Sequence, residues 1–266
     1  MTSMGRLDDK VAVVTAAGSG IGRAIALRFA AEGASVVVAN RTPEKGAAVA
    51  AAIRSAGGHA LAHPTDVGDP AQLRRLIDTT VAEFGRVDVL VNNAAIGKDA
   101  TGPFWEISET EWDRTYAVNV RGMFLAAKYA YPHIPDGGAI VNIGSVASLV
   151  AYPNEVPYVS TKGAVLQMTR ALACDCAPRN IRVNCVCPGA THTPGMQWWM
   201  DRSDDPEALK RQFASRSLLG RMGTAEEVAS VALFLASSEA SFITAAAIPV
   251  DGGWTGGSVR GVQLVD

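Results

Sequence analysis

The fold class this sequence predicts is α/β, a single doubly wound parallel sheet, and three observations predict it. Short apolar, β-branched runs alternate with longer segments of helical spacing along the chain. The apolar runs are nearly continuous rather than alternating, the pattern of strands covered on both faces. Residues able to do chemistry gather just past those runs, at Gly18, Asn40, Asp66, Asn92, Ser145 and Pro188. Open α/β sheets bind their ligands at those carboxyl ends.

Each element follows from its residues. Residues 10–15 (Lys-Val-Ala-Val-Val-Thr) read as the first strand. The turn Ala16-Ala17-Gly18-Ser19-Gly20-Ile21-Gly22 comes next, then a helix through Ile25, Ala26, Phe29 and Ala30. Glycines between a strand and a helix let backbone amides approach a phosphate, and the helix dipole favours it. Strands are expected over 34–39, 59–63, 87–91, 139–143, 181–186 and 247–250, seven in all with the first. Helices are expected over 43–56, 70–84, 109–131 and 224–235, with another that begins near Tyr158. In 70–84 Leu73, Leu76, Ile77 and Val81 form one apolar stripe. No linker, low-complexity tract or internal repeat divides the chain, so 1–266 reads as one domain.

Composition narrows the class. The chain has 266 residues, 48% hydrophobic, with a formal net charge of -2. A balanced charge predicts neither nucleic acid nor an anionic membrane as partner. No apolar run approaches the ~18 residues of a membrane span, and residues 1–9 lack the apolar core of a signal peptide. A cytoplasmic location is expected. Cys174 and Cys176 fall on a helix, where residues two apart diverge, and Cys185 and Cys187 on a strand. They read as structural thiols, with no metal and no disulfide expected.

The segment Tyr158-Val159-Ser160-Thr161-Lys162 carries the chemistry. Residues four apart on a helix share a face, so the Tyr158 phenol and the Lys162 ammonium emerge together. A phenol titrates near 10, and working near neutrality requires roughly 4 kcal/mol of preference for the phenolate at about 1.4 kcal/mol per unit. One cation at about 4 Å in a partly exposed site supplies that much. The expectation is a phenol made acidic by the lysine.

With these motifs in order, the chain resembles the short-chain dehydrogenase/reductase family from about residue 10 to 253. Thr15 to Gly22 resembles its cofactor turn, Thr-Gly-x-x-x-Gly-x-Gly. Asp66-Val67 lies where that family contacts adenine, and Asn92-Asn93-Ala94 resembles its Asn-Asn-Ala-Gly motif. Asn119 matches its helix asparagine. Ser145 precedes Tyr158 by thirteen residues, and Pro188-Gly189 with Thr193 matches the segment beside the nicotinamide. Three positions depart from the pattern: Ala16, Ala95 and Ala245 stand where glycine is usual. Ala16 is expected to crowd the turn slightly without abolishing binding.

The resemblance implies a Rossmann-like sheet with helices on both faces and hydride transfer between nicotinamide and a ketone or secondary alcohol. It implies catalytic roles for Asn119, Ser145, Tyr158 and Lys162. Tyr158 is the general acid/base, Ser145 steadies the developing alkoxide, Lys162 lowers the phenol's pKa and binds the ribose, and Asn119 holds a water. Cofactor contacts are expected from Thr15, Gly18, Ser19, Gly20, Ile21, Gly22, Asn40, Arg41, Thr42, Asp66, Val67, Asn92, Ala94, Tyr158, Lys162, Pro188, Gly189, Thr191 and Thr193. The second strand ends Ala39-Asn40-Arg41-Thr42, with no carboxylate to repel a 2′-phosphate and an arginine able to pair with one. NADP(H) is therefore favoured, with NAD(H) the alternative. Residues 193–215, with Trp198, Trp199, Met196 and Met200, are expected to cover the substrate, and residues 146–157 with Tyr152 and Asn154 to form the opposite wall. An apolar, cyclic or aromatic substrate follows. A homotetramer or homodimer is expected from the family and from alanine-rich outer faces on 109–131 and 158–177, with the tail 254–266 reaching a neighbour or frayed. A nucleotide-binding sensor or partner-binding module without turnover is the rival reading.

Overall fold

The computed structural model describes residues 5–97 and 100–257. Seven strands form its main sheet: β1 (Val11–Thr15), β2 (Ser35–Asn40), β3 (Ala60–Pro64), β4 (Val89–Asn92), β5 (Ala139–Ile143), β6 (Arg182–Pro188) and β7 (Ala247–Val250). All pair in parallel, in the spatial order β3-β2-β1-β4-β5-β6-β7. The order reverses between β1 and β4, and the ends of those two strands open the crevice where such sheets hold ligands.

Nine helices connect and cover the strands: α1 (Gly20–Ala31), α2 (Pro43–Ser55), α3 (Pro70–Phe84), α4 (Glu109–Tyr116), α5 (Gly122–Ala130), α6 (Val156–Cys176), α7 (Pro194–Met200), α8 (Pro206–Ala214) and α9 (Ala225–Ala236) among the described residues. Alternation along β1 explains the two layers. Ala12 and Val14 pack with Phe29 of α1 and Leu233 of α9 on one face. Val13 faces the other way, with Leu73, Leu76 and Ile77 of α3, Ala126 of α5 and Ala173 of α6. Phe29 is fully buried, which contributes about 1.5–3 kcal/mol.

Local chemistry sets the helix ends. Asp69 caps α3 by accepting from the amides of Ala71 and Gln72, Pro70 begins it, and Gly85 ends it in a left-handed conformation. Ser108 with Glu111, and Thr224 with Glu227, form capping boxes at α4 and α9.

The helix expected over 109–131 is interrupted. Between α4 and α5 the turn Ala117–Arg121 widens into a π-helix. Asn119 sits in that turn with its amide bonded to another segment, and Gly122 follows where a β-carbon would stand 2.7 Å from the Val67 carbonyl oxygen. No helix among the described residues is long and apolar enough to cross a membrane. The expected tail over 254–266 is described only as far as Gly257; the rest lies outside the described residues.

Two of the three alanine departures fall on left-handed backbone: Ala16 has φ 51° and Ala245 φ 59°. A β-carbon there costs roughly 1–2 kcal/mol. Ala95 lies outside that region. Ala16→Gly and Ala245→Gly are each expected to raise unfolding free energy by roughly 0.5 kcal/mol, strain relief exceeding the added chain entropy. Ala95→Gly is expected to lower it. Urea denaturation of the three variants checks this; a loss of stability in all three contradicts it.

Candidate active site

The turn from β1 into α1 brings together residues distant in sequence. Gly18 N–H donates to Asn40 Oδ1 at 3.1 Å, and a β-carbon on Gly18 would stand 2.7 Å from the Asn40 amide. Asn40 donates in turn to the Thr42 carbonyl at 2.8 Å. Gly20 has φ 53° and faces Thr193, the residue that caps α7. A β-carbon on Gly22 would stand 2.5 Å from the Ala16 carbonyl oxygen. Ser19 makes no side-chain cap bond and the first turn of α1 holds no acidic residue. The start of α1 thus offers backbone donors and a favourable dipole, a fit for a dinucleotide's diphosphate.

Around that turn the other strand ends contribute differently from expectation. Thr15 accepts from the amides of Asn93 and Ala94 and donates to the Val91 carbonyl, so its hydroxyl ties β1 to β4. Asn92 donates to Asn142 Oδ1 at 2.9 Å and is 1% exposed. Both side chains are bonded within the protein. Asn93 instead reaches the turn, donating to the Thr15 carbonyl at 2.9 Å. Asp66 accepts from the Gly68 amide at 2.8 Å beside the half-buried Val67. Arg41 and Thr42 are exposed at the end of β2. Pro188, Gly189 and Thr191 carry the chain from β6, with Thr191 donating to the Gly189 carbonyl at 3.0 Å.

Tyr158 and Lys162 lie one turn apart on α6, as their spacing predicts. Ser145 follows β5 near the phenols of both Tyr158 and Tyr152, where its hydroxyl acts to lower the pKa of each; it also accepts from the Ala147 amide at 3.1 Å. The loop after β4 packs on the phenol ring, for a β-carbon on Gly97 would stand 2.6 Å from Tyr158 Cδ2. Asn119 holds that loop like a strand partner. It accepts from Ile96 N–H at 2.8 Å, donates to the Ile96 carbonyl at 2.7 Å, and donates to Thr161 Oγ1 at 3.1 Å. Through these bonds its amide fixes the loop after β4.

The electrostatics correct the sequence reading. The Lys162 ammonium is buried, donates to the Ile143 carbonyl at 2.8 Å, and lies 5.6 Å from the Tyr158 ring centre. Burial pushes the Tyr158 phenol up to about 12; the Ser145 hydrogen bond works against that rise and the Glu155 charge adds to it. Burial also brings the Lys162 ammonium down to about 8, partly offset by Cys185 and Cys187. Those two thiols sit 3.8 Å apart beneath Gly144. Desolvation, rather than the neighbouring cation, dominates both groups.

A family model described as enoyl-(acyl carrier protein) reductase matches residues 15–255. The chain is 42% identical over 248 residues to an uncharacterized oxidoreductase of Thermotoga maritima, covering 92% of this chain and 97% of that one. It is 41% identical over 251 residues to the meso-2,3-butanediol dehydrogenase of Serratia marcescens, covering 94% and 96%. This chain belongs to the short-chain dehydrogenase/reductase family. A solved structure of a double mutant of a Serratia marcescens short-chain dehydrogenase/reductase superposes with a TM-score of 0.87 at 36% identity, covering 94% of this chain and 99% of that one. The 2-(R)-hydroxypropyl-CoM dehydrogenase of Xanthobacter autotrophicus is 42% identical over 250 residues, 92% of this chain and 98% of that one. As a member of this family, the protein is a nicotinamide-dependent oxidoreductase of alcohols and ketones.

Sequence reading missed several groups of this short-chain dehydrogenase/reductase. Asn93 was legible as part of the Asn-Asn-Ala motif. The Ile143 carbonyl, Gly97 and Ile96 carry no sequence signal, because they act through backbone. Glu155 and Arg216 both act on the phenols electrostatically, Glu155 on both and Arg216 on Tyr152.

The lysine's burial has a consequence for stability. Its folded pKa near 8 lies below the unfolded ~10.4. Below pH 8 both states hold the proton and the native state bears the desolvation cost; between pH 8 and ~10.4 the unfolded state holds more protons, so stability rises with pH. In nucleotide-free protein, Lys162→Met is expected to lose that rise. Relative to the wild type, the variant should drop by up to about 3 kcal/mol from pH 7.5 to 10 in denaturation curves. A constant difference across that range contradicts the buried, proton-shedding lysine.

Proposed function

We propose that this protein transfers hydride between NADP(H) and the carbonyl or alcohol carbon of an apolar, cyclic or aromatic ketone or secondary alcohol. The observation that carries the reading is the convergence of Ser145, Tyr158 and Lys162 at the carboxyl end of the parallel sheet, the end at which β1 turns through its glycines into α1. The bound nicotinamide would supply or accept the hydride, held by the amides of the Gly18–Gly22 turn, the Asp66–Val67 end of β3 and the segment from Pro188 to Thr193.

The protein's own part is binding, orientation and the proton. Ser145 donates its one hydroxyl proton to the substrate oxygen as it becomes alkoxide, close to the Tyr158 phenol that supplies the proton. Tyr158 gives its proton in reduction and takes it in oxidation. A phenol held near 12 keeps its proton until charge develops on the substrate oxygen, which favours its role as donor. Lys162, anchored on Ile143 one turn from Tyr158, would hydrogen-bond the nicotinamide ribose. Asn119 keeps the loop over the Tyr158 ring in place.

NADP(H) is preferred over NAD(H) in this reading because β2 ends without a carboxylate and exposes Arg41. The apolar substrate is supported by aromatic walls: Tyr152 stacks on Trp254 at 6.3 Å, and Trp198 meets Trp199 edge-on at 5.4 Å in α7. Residues 193–215, within one domain, would cover it.

The test is nicotinamide oxidation against a panel of aromatic, cyclic and polyol carbonyl compounds. NADPH is expected to bind more tightly than NADH and to reduce the aromatic or cyclic ketones. Tyr158→Phe is expected to lose at least two orders of magnitude in kcat while still binding nucleotide. Turnover near wild type in that variant, or reduction of polyol substrates alone, overturns the assignment.

A further inference from the structure

A pair of opposite charges, Glu155 and Arg216, acts on the phenols of this site without a role in the hydride-transfer machinery. Glu155 is the residue before α6, three positions ahead of Tyr158. Arg216 follows α8, far away in sequence. Its guanidinium lies 5.1 Å from the centre of the Phe213 ring and 5.0 Å from that of Trp254. Trp254 in turn stacks on Tyr152 at 6.3 Å, and the Tyr152 phenol is close enough to Ser145 for the serine to lower its pKa. Arg216 is therefore separated from Ser145 by two stacked rings.

Stacking of this kind holds a guanidinium by its face and leaves its N–H edge for a planar acceptor. Glu155 is the carboxylate nearest in effect, yet no ion pair of 4.0 Å or less joins the two. Both residues are half-buried. A half-buried arginine held against Phe213 and Trp254, close enough to act on Tyr152 and Glu155 yet without a salt bridge to Glu155, is arranged to receive an anion from outside the protein.

We propose that Arg216 binds an anionic substituent, a carboxylate, carried by the substrate on the side of the site where Trp254 stacks on Tyr152. The inference rests on the oxidoreductase reading above and narrows its substrate class: an apolar body with a carbonyl at Ser145 and a carboxylate at Arg216. Glu155 is the counterweight. Its charge opposes a second carboxylate on that side, and it discriminates against substrates too weakly held by Arg216 to overcome it. Burial raises the Glu155 carboxyl and Arg216 lowers it, so the two charges already act on each other. Besides each other, the ionisable groups that act on this pair's surroundings are Tyr152, Tyr158 and the more distant Lys162.

The experiment compares meta- and para-acetylbenzoate with their methyl esters, reading kcat and KM for wild type, Arg216→Met, Arg216→Lys and Glu155→Gln. Wild type is expected to prefer an acid over its ester. Arg216→Met is expected to cut the acid-to-ester ratio of kcat/KM by tenfold or more, mainly through KM, as loss of a charged hydrogen-bonded pair does. Arg216→Lys should recover part of that ratio, and Glu155→Gln should move it the other way. A purely structural arginine, one that only props Trp254, would lower turnover of acid and ester alike and leave the ratio unchanged; that result overturns the proposal. Ester turnover without any preference for the acid sinks the carboxylate subsite and leaves the oxidoreductase standing. Turnover of neither, in protein that binds NADPH, overturns both.

Discussion

Much of this site depends on one buried ammonium ion and the carbonyl that receives it. Lys162 is 2% exposed and donates to the Ile143 oxygen at 2.8 Å. Taking a charge out of water costs several kcal/mol unless it is met by good acceptors. The carboxyl end of β5 is such an acceptor, and it is there because the strand stops at Ile143 and Gly144 turns away. A β-carbon on Gly144 would stand 2.6 Å from Cys185 Sγ, so only glycine lets the chain turn above the thiols and keep the carbonyl aimed at the lysine. The same turn delivers Ser145 to the Tyr158 phenol. Strand end, serine, lysine and phenol are thus one rigid object.

A second constraint keeps that object covered. The loop after β4 would be a strand edge with unpaired backbone groups. Asn119 satisfies Ile96 at both N–H and C=O, doing with a side chain what another strand would do. The cost is a widened helical turn at 117–121. π-turns at functional sites commonly have this character: the helix gives up regular bonding so that one side chain can act elsewhere.

How much could be read beforehand divides along physical lines. All seven strands were legible because two-sided burial writes itself as continuous β-branched runs, as in Val11–Thr15 and Ser35–Asn40. Asn119, Ser145, Tyr158 and Lys162 were legible as spacings within a motif set. Their couplings were not. Spacing alone places Lys162 beside Tyr158, but the sequence does not say that Ile143 takes its proton donors, and burial reverses the expected sign of the phenol's shift. Ala16 and Ala245 were visible as departures from a glycine pattern, and the structure adds why they matter, since both adopt positive φ. Arg216 was invisible because its position depends on Phe213 and Trp254, which meet it only in the fold.

The chemistry turns on one phenol: desolvation holds its proton, while Ser145 works against that hold and Lys162 remains on Ile143. Ultraviolet titration of nucleotide-free wild type minus Tyr158→Phe isolates that phenolate. The structure predicts a midpoint well above the ordinary value, near 12. A midpoint at or below ~10, the unperturbed phenol, would mean that the lysine's charge governs after all, and the present account of the site would be wrong.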